Sequence, residues 1–378
     1  MGGRDAIELT RALVGIDSVN PALVPGGAGE RDVAAAIAAW AGDAGLEVRV
    51  LEETPGRPSV LVRAAGSGSG RTLLLCGHID TVGTAGMSAP HEPRLDGDRL
   101  HGRGSYDMKA GVAAALVACR DAAARGLAGD VVVAAVADEE HASIGVQEAL
   151  RHVSADAAVV TEPTELEIVI AHKGFVWTEL TVEGRAAHGS RPHLGVDAIV
   201  KAGPLLSGIG ALDERLGEHE HPLVGRSSVH ASMIEGGLDL ATYPDRCTVK
   251  LERRTVPGED AQGVEGEIAE LLERCRREDP ALAVEARTLL VRPPFEVGAD
   301  ASLVGALSDT AAARLGSPPP VVGASYWADS AFIAAAGIPT VLFGPTGEGA
   351  HAAEEWVSAS ATAACTDVLV ELAASVCG

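Results

Sequence analysis

Val131-Val132-Val133-Ala134-Ala135-Val136-Ala137-Asp138-Glu139-Glu140 decides how this chain folds: seven apolar residues lead without a break into three carboxylates. A run this short, continuously apolar and rich in valine reads as a strand covered on both faces, the habit of parallel sheets. Three adjacent acids at its end are costly unless cations neutralise them, and in α/β sheets ligands gather at the carboxyl ends of strands. Adjacent side chains alternate in direction, so Glu139 and Glu140 can serve different roles. Glu140 is assigned to a metal, and Glu139 to the general base that takes a proton from water and delivers it to a leaving amine. A solvated acidic turn is the competing reading of such a cluster taken alone.

Four further stretches place ligand-type residues in the same way. Cys76-Gly77-His78-Ile79-Asp80 follows apolar residues 72–76, and in an extended chain His78 and Asp80 face one side, where the carboxylate can orient the imidazole. Thr161-Glu162-Pro163-Thr164 follows residues 157–160 and offers Glu162 as a terminal ligand. The segment Gly344 to His351 follows residues 338–343 and supplies a second imidazole. Gly102-Arg103-Gly104-Ser105-Tyr106-Asp107-Met108-Lys109-Ala110-Gly111 is a glycine-rich loop entering a helix, with Asp107 placed to give one oxygen to each of two cations. The plainer readings are a helix cap for Asp107 and a surface pair for His78 and Asp80. Gly-Lys-Ser/Thr is missing, so the loop does not read as a phosphate loop. Taken together, the five stretches describe a two-metal hydrolase of amide bonds, and oxygen and imidazole donors without cysteine suit Zn²⁺, Co²⁺ or Mn²⁺.

Helical spacing over 31–44 and strands at 48–51, 59–62 and 72–76 open the chain in α/β style. A helix from Lys109 to about Arg125, the strand 131–137, a helix 145–152 and a strand 157–160 continue it, which implies a mostly parallel sheet covered by helices. The Gly-Ser stretch 66–70 reads as a hairpin loop. After Lys173 the pattern changes: 176–182, 227–234 and 246–253 alternate apolar and polar residues as half-solvated strands, with a helix at 197–209. The first style resumes near Leu289, with a helix at 302–315, an apolar run at 338–343 and a helix at 359–374. A discontinuous catalytic domain, 1–174 and 289–378, with an inserted α+β unit at 175–288, is therefore expected.

Composition narrows the function. The 378 residues are 47% hydrophobic and 22% charged, the balance of a globular protein, and a formal net charge of −23 disfavours nucleic acid and anionic membrane surfaces. Only 3% are aromatic, which leaves few platforms for stacking bases. The N-terminus lacks an apolar core behind a basic start, and no stretch reads as long enough to cross a bilayer, so a cytoplasmic enzyme is expected. Cys76, Cys119, Cys247, Cys275, Cys365 and Cys377 are scattered and read as buried small hydrophobes.

On these residues, with Gly184 to Asp197 and Ile234-Glu235-Gly236-Gly237, the chain resembles over nearly its whole length the metal-dependent amidohydrolase family of acetylornithine deacetylase, succinyl-diaminopimelate desuccinylase, aminoacylase and the glutamate-releasing carboxypeptidases. The resemblance implies one metal on His78, Asp107 and Glu162, and another on Asp107, Glu140 and His351, with Glu139 as base and Asp80 as orienting carboxylate. It makes the inserted unit a lid through which most members form homodimers. His188 then matches a lid histidine that reaches the partner's site and stabilises the oxyanion, and Arg254 matches the arginine that binds a substrate carboxylate. By residues alone His188 is a turn histidine, and Arg254 and Arg253 are surface arginines on an edge strand. Ala241 stands where the family often has a substrate-contacting asparagine. Tyr326, Trp327 and Asp329 are expected either to line the pocket or, for Trp327, to pack in the core. The substrate implied is a small N-acyl amino acid, in the manner of acetylornithine deacetylase. A dipeptidase or glutamate-type carboxypeptidase shares every residue named, and a non-catalytic binding protein would be expected to have lost a ligand or the base.

Overall fold

The computed structural model describes residues 2–378 and contains two compact units. One comprises the chain up to Ile170, Val297–Val322 and Ala328–Gly378; the other comprises Ala171–Glu296 and Gly323–Trp327.

The first unit is built on a mixed sheet whose strands run in the order Glu47–Leu51, Ser59–Ala64, Val131–Val136, Leu73–His78, Ala157–Val160, Thr340–Leu342 and the strand beginning at Ile168. The four strands from Val131–Val136 to Thr340–Leu342 are mutually parallel, while both flanks are antiparallel. Parallel strands end at the same edge, which is why Leu73–His78, Val131–Val136 and Ala157–Val160 deliver their following residues to one place. The Gly-Ser stretch is not a hairpin loop, because Val131–Val136 lies between Ser59–Ala64 and Leu73–His78. Residues 66–70 instead run beside the chain before Val131, with Ser67 N–H on the Leu127 carbonyl at 3.1 Å and Gly68 N–H on that of Ala128 at 3.0 Å.

Every residue of Leu73–His78 and Val131–Val136 is buried. Valine and leucine side chains on these strands meet the helix Ala110–Arg125, whose alanines and valines are buried over most of its length. Small side chains let the layers approach closely and replace the aromatic bulk the chain lacks. The helix Ala359–Cys377, with 19 residues, is long and apolar enough by length and composition to cross a bilayer, contrary to the sequence reading. Cys365, Val368, Leu369, Leu372 and Ala373 are buried in the first unit, where the helix packs on Ala110–Arg125 and on Gly2–Val14. It is a core helix whose apolarity follows from having neighbours on several sides.

The second unit is an antiparallel sheet in the order Ser228–Gly236, Arg246–Thr255, Gly174–Glu183, Ala283–Arg292. Helices Ala198–Leu216 and Ala261–Glu278 close its core, bringing Leu205 and Leu271 onto Leu180, Val249 and Val284. Both helices are capped by an aspartate, Asp197 accepting from Val200 N–H and Asp260 from Gly263 N–H. The helix Ala261–Glu278 and the strand Ala283–Arg292 lie outside the sequence reading. Arg253 is not a surface arginine on an edge strand. Its strand is interior, and its buried guanidinium is held by Glu259 and Glu267. All six cysteines are buried and unpaired.

Two glycines show how packing rather than helix propensity sets stability. A Cβ on Gly111 would stand 2.0 Å from the Thr161 carbonyl oxygen, whereas one on Gly210, in Ala198–Leu216, would meet nothing within 4 Å. Gly111→Ala should lower unfolding free energy by about 1–3 kcal/mol or more, and Gly210→Ala should raise it by about 0.5–1 kcal/mol. Urea titration followed by circular dichroism checks both, and equal effects would refute the difference in packing.

Candidate active site

The strand edge brings the expected residues together. His78 ends Leu73–His78 and turns its Nε2 to Asp107 Oδ1 at 3.0 Å. The other oxygen of the same carboxylate, Oδ2, is 3.3 Å from His351 Nε2. His351 Nε2 also lies 3.1 Å from Glu140 Oε2, and His78 Nε2 lies 3.8 Å from Glu162 Oε1. Asp107 is thus no helix cap. Its side chain has an imidazole on each oxygen, and the helix after it begins at Ala110 without a side-chain cap. Ligand atoms of His78, Asp107 and Glu140, and separately of His78, Glu139 and Glu162, fall within 4.8 Å of one another. Glu139, read as the base, therefore sits within ligand distance of the same imidazole.

Charge explains what this cluster wants. Burial pushes the Glu139 and Glu162 carboxyls well above their usual range, and burial followed by the nearby Asp107 charge raises Glu140. Burial would also raise Asp107, but hydrogen bonds with His351 and His78 outweigh it and hold the carboxyl below its usual value. Hydrogen bonds to Asp107 and Glu140 raise His351 to about 10. Burial alone would depress His78, yet its bonds with Asp107 and Asp80 lift it above the ordinary imidazole range. Carboxylates so crowded take up protons or metal cations, and two imidazoles among carboxylate oxygens form a donor set that fits divalent ions.

Asp80 is fully buried and works behind His78. The His78 Nδ1 is 3.0 Å from the Asp80 carbonyl oxygen and 3.5 Å from its Oδ1. The Asp80 carboxylate also accepts the backbone N–H groups of Glu139 at 3.1 Å and Glu140 at 3.3 Å. One residue thereby fixes the imidazole, through its carbonyl, and the acidic pair after the neighbouring strand, through its carboxylate.

Several supporting residues escaped the sequence reading. Asn20 Nδ2 donates to Asp80 Oδ2 at 2.8 Å and Asp138 Oδ1 at 3.0 Å. Arg57 forks onto Glu30 at 2.6 and 2.7 Å and reaches Asp138 at 2.7 Å. The Lys109 ammonium is fully buried, donates to the carbonyls of Leu13 and Ile16, and is pushed by burial down to about 7. Glu355 accepts the backbone N–H groups of Tyr106 and Asp107. Asn20 is 60 residues from Asp80 and 118 from Asp138, so no local pattern could have announced it. A cavity of about 1230 Å³ on the first unit, lined by Arg11, Met87, His101 and Glu354 among others, contains none of the candidate ligands, so size is no guide to the chemistry here.

His188 and Arg254 belong to the second unit. His188 is exposed, and its Nδ1 lies 2.8 Å from the Ser190 hydroxyl and 3.2 Å from the Ser190 backbone nitrogen, so Ser190 orients the ring. Its loop is pinned by the Ala241 carbonyl, which accepts the Gly189 N–H at 2.6 Å. Ala241 thus serves through its backbone. Arg254 Nε donates to Glu252 Oε1 at 2.7 Å and its guanidinium lies 5.0 Å from the Phe175 ring centre. Trp327 packs in the second unit, with its Nε1–H on the Pro293 carbonyl at 3.0 Å and its ring edge-on to His172 and Phe175. Asp329 is buried in the first unit, and its charge helps to raise Glu139 and Glu162.

Known proteins are similar to this chain in sequence and in fold. The description "Peptidase family M20/M25/M40" matches residues 74–375. Acetylornithine deacetylase of Myxococcus xanthus is 31% identical over 327 residues, covering 83% of this chain and 82% of that protein. The acetylornithine deacetylase of Pectobacterium carotovorum subsp. carotovorum is 28% identical, covering 93% and 92%. Among solved structures, aminopeptidase PepT from Bacillus cereus aligns with a TM-score of 0.79 at 19% identity, covering 100% of this chain and 99% of its own. The Bacillus subtilis YXEP protein, described as a dinuclear metal binding peptidase, gives 0.77 at 18% identity, covering 100% and 98%. Strand-end imidazoles and carboxylates gathered about Asp107, on a chain matched over most of its length, place it in peptidase family M20/M25/M40 as a hydrolytic enzyme.

Proposed function

We propose that this enzyme hydrolyses the amide bond of a small N-acyl amino acid, in the manner of an acetylornithine deacetylase, and releases a carboxylate and the free amino acid. The observation that carries the reading is the shared Asp107 carboxylate, with His78 at 3.0 Å from one oxygen and His351 at 3.3 Å from the other. We assign one metal to His78, Asp107 and Glu162 and a second to Asp107, Glu140 and His351. Zn²⁺ suits these donors, as do Co²⁺ and Mn²⁺. Two such ions, when bound, polarise the scissile carbonyl and acidify the attacking water.

The chain's own groups do the rest. Glu139, half-buried and raised by desolvation, takes the proton of the attacking water and returns it to the leaving nitrogen. Asp80 holds the His78 ring in place. His188 donates a ring N–H to the oxygen that gains charge as the carbonyl is attacked. Arg254, its Nε held by Glu252, offers a planar fork for the substrate carboxylate. The relatives named above as acetylornithine deacetylases favour a deacylase over a dipeptidase.

The second unit serves in this reading as the lid through which two copies pair. Ser228–Gly236 is an edge strand, and Met233, Ile234, Ile199 and Val200 are exposed on it and on the helix Ala198–Leu216. Apolar side chains beside an unpaired edge fit a second copy of the same surface. The enzyme is assigned to the cytoplasm, where six unpaired thiols stay reduced.

Three outcomes test this. A chelator should abolish hydrolysis of N-acetyl amino acids and added Zn²⁺ or Co²⁺ should restore it; full activity in chelator sinks the metal assignment. Glu139→Gln should keep both ions, measured by elemental analysis, while kcat falls by about 10²- to 10⁴-fold. Finally, mixing inactive Glu139→Gln with inactive His188→Ala should recover about a quarter of the wild-type rate, since half the dimers are mixed and one of their two sites is whole. No recovery in chains proven to exchange removes His188 from the partner's site.

A further inference from the structure

Glu355 is a buried carboxylate whose acceptor capacity is taken up by the loop that carries Asp107. Its Oε1 accepts the N–H groups of Tyr106 at 2.9 Å and Asp107 at 3.1 Å, and its Oε2 accepts the N–H of Gly104 at 3.1 Å and Nη1 of Arg103 at 2.5 Å. Arg103, also buried, turns Nη2 to the carbonyl of Ala352 at 2.8 Å, the residue next to His351. The Gly102 N–H closes the knot on the Glu355 carbonyl at 3.2 Å. One ion pair therefore grips the backbone of Asp107 and the segment that presents His351.

We infer that Glu355 and Arg103 are positioning residues whose ion pair sets Asp107 against His351 and thereby governs the affinity of the second metal, the ion assigned to Asp107, Glu140 and His351. This deepens the two-metal reading proposed above and rests on it. The two metals depend on the clamp unequally. Of the first ion's ligands, His78 ends Leu73–His78 and Glu162 follows Ala157–Val160, strands paired with each other and independent of Glu355. Of the second ion's three ligands, only Glu140 is held otherwise, through Asp80. Each of the four groups around the Glu355 carboxylate is a donor, so a carboxylate satisfies them all. A glutamine sets its NH₂ against two of them whichever way the amide is turned.

The test uses the metal-stripped full chain and Zn²⁺ or Co²⁺ alone as the probe, with calorimetry for stepwise affinities and elemental analysis for stoichiometry. Glu355→Gln should bind the second ion roughly 10- to 100-fold more weakly, retain the first, and resemble His351→Ala rather than His78→Ala. Arg103→Lys keeps the charge but reaches Glu355 or Ala352, not both, and should weaken the second ion in the same direction. If Glu355→Gln loses both ions together with its circular dichroism, Arg103→Lys decides in its place. Two ions held as tightly as in the wild type by a folded Glu355→Gln, or failing that by Arg103→Lys, overturn the inference. A wild-type chain that takes up fewer than two ions instead overturns the two-metal reading itself.

Discussion

The Asp107 carboxylate, with an imidazole on each oxygen, is the contact around which the first unit is organised. It concentrates negative charge in a partly buried place: Asp80, Asp107, Glu139, Glu140 and Glu162 meet at one strand edge with two imidazoles among them, the buried His78 and the more exposed His351. Such a cluster is unfavourable in an apolar interior unless each oxygen has a donor or a cation. Parallel central strands make the cluster possible because they end together, and their fully buried apolar sequence keeps them covered on both faces.

Two carboxylates, Asp80 within the cluster and Glu355 beside it, keep the cluster in register, and they do so through backbone amides. Asp80 ties the ends of neighbouring strands by accepting the Glu139 and Glu140 N–H groups, and Asn20 and Arg57 hold it and Asp138 from behind. Glu355 does the same for the loop around Asp107. Close backbone approach completes the arrangement. A Cβ on Gly344 would stand 2.1 Å from the Glu162 carbonyl, and one on Gly111 2.0 Å from that of Thr161, so the turn that presents Glu162 is walled by glycines with no room for a side chain.

The second unit follows a different rule. Its strands alternate, with one face closed by two helices and the other left with Phe175, Trp177, Glu252 and Arg254 as cross-strand neighbours, Arg254 opposite Phe175 and Glu252 opposite Trp177. Trp177 donates its Nε1–H to Glu252 at 2.9 Å, and Glu252 in turn accepts Arg254, so a single carboxylate orients both the indole and the guanidinium. Arg253, one residue away, points to the helix face and is neutralised there by Glu259 and Glu267. A period of two thus separates a buried structural arginine from a half-buried one beside it.

The class of fold, the strand-end position of His78, Asp80, Glu139, Glu140 and Glu162, and the alternation of 176–182 were legible in the sequence. Each is a local matter, set by the period of the apolar residues and by the residue types at the end of an apolar run. Only the tertiary structure decided which strand lies beside which, and hence that 66–70 is no hairpin, that Arg253 is interior, and that a helix apolar enough for a membrane belongs to a core. Asn20, Arg57, Arg103 and Glu355 fall in the same class. Their partners lie from tens of residues to about 250 residues away along the chain. A hydrogen bond depends on distance in space, and a chain records only distance along itself until neighbouring strands fix the rest.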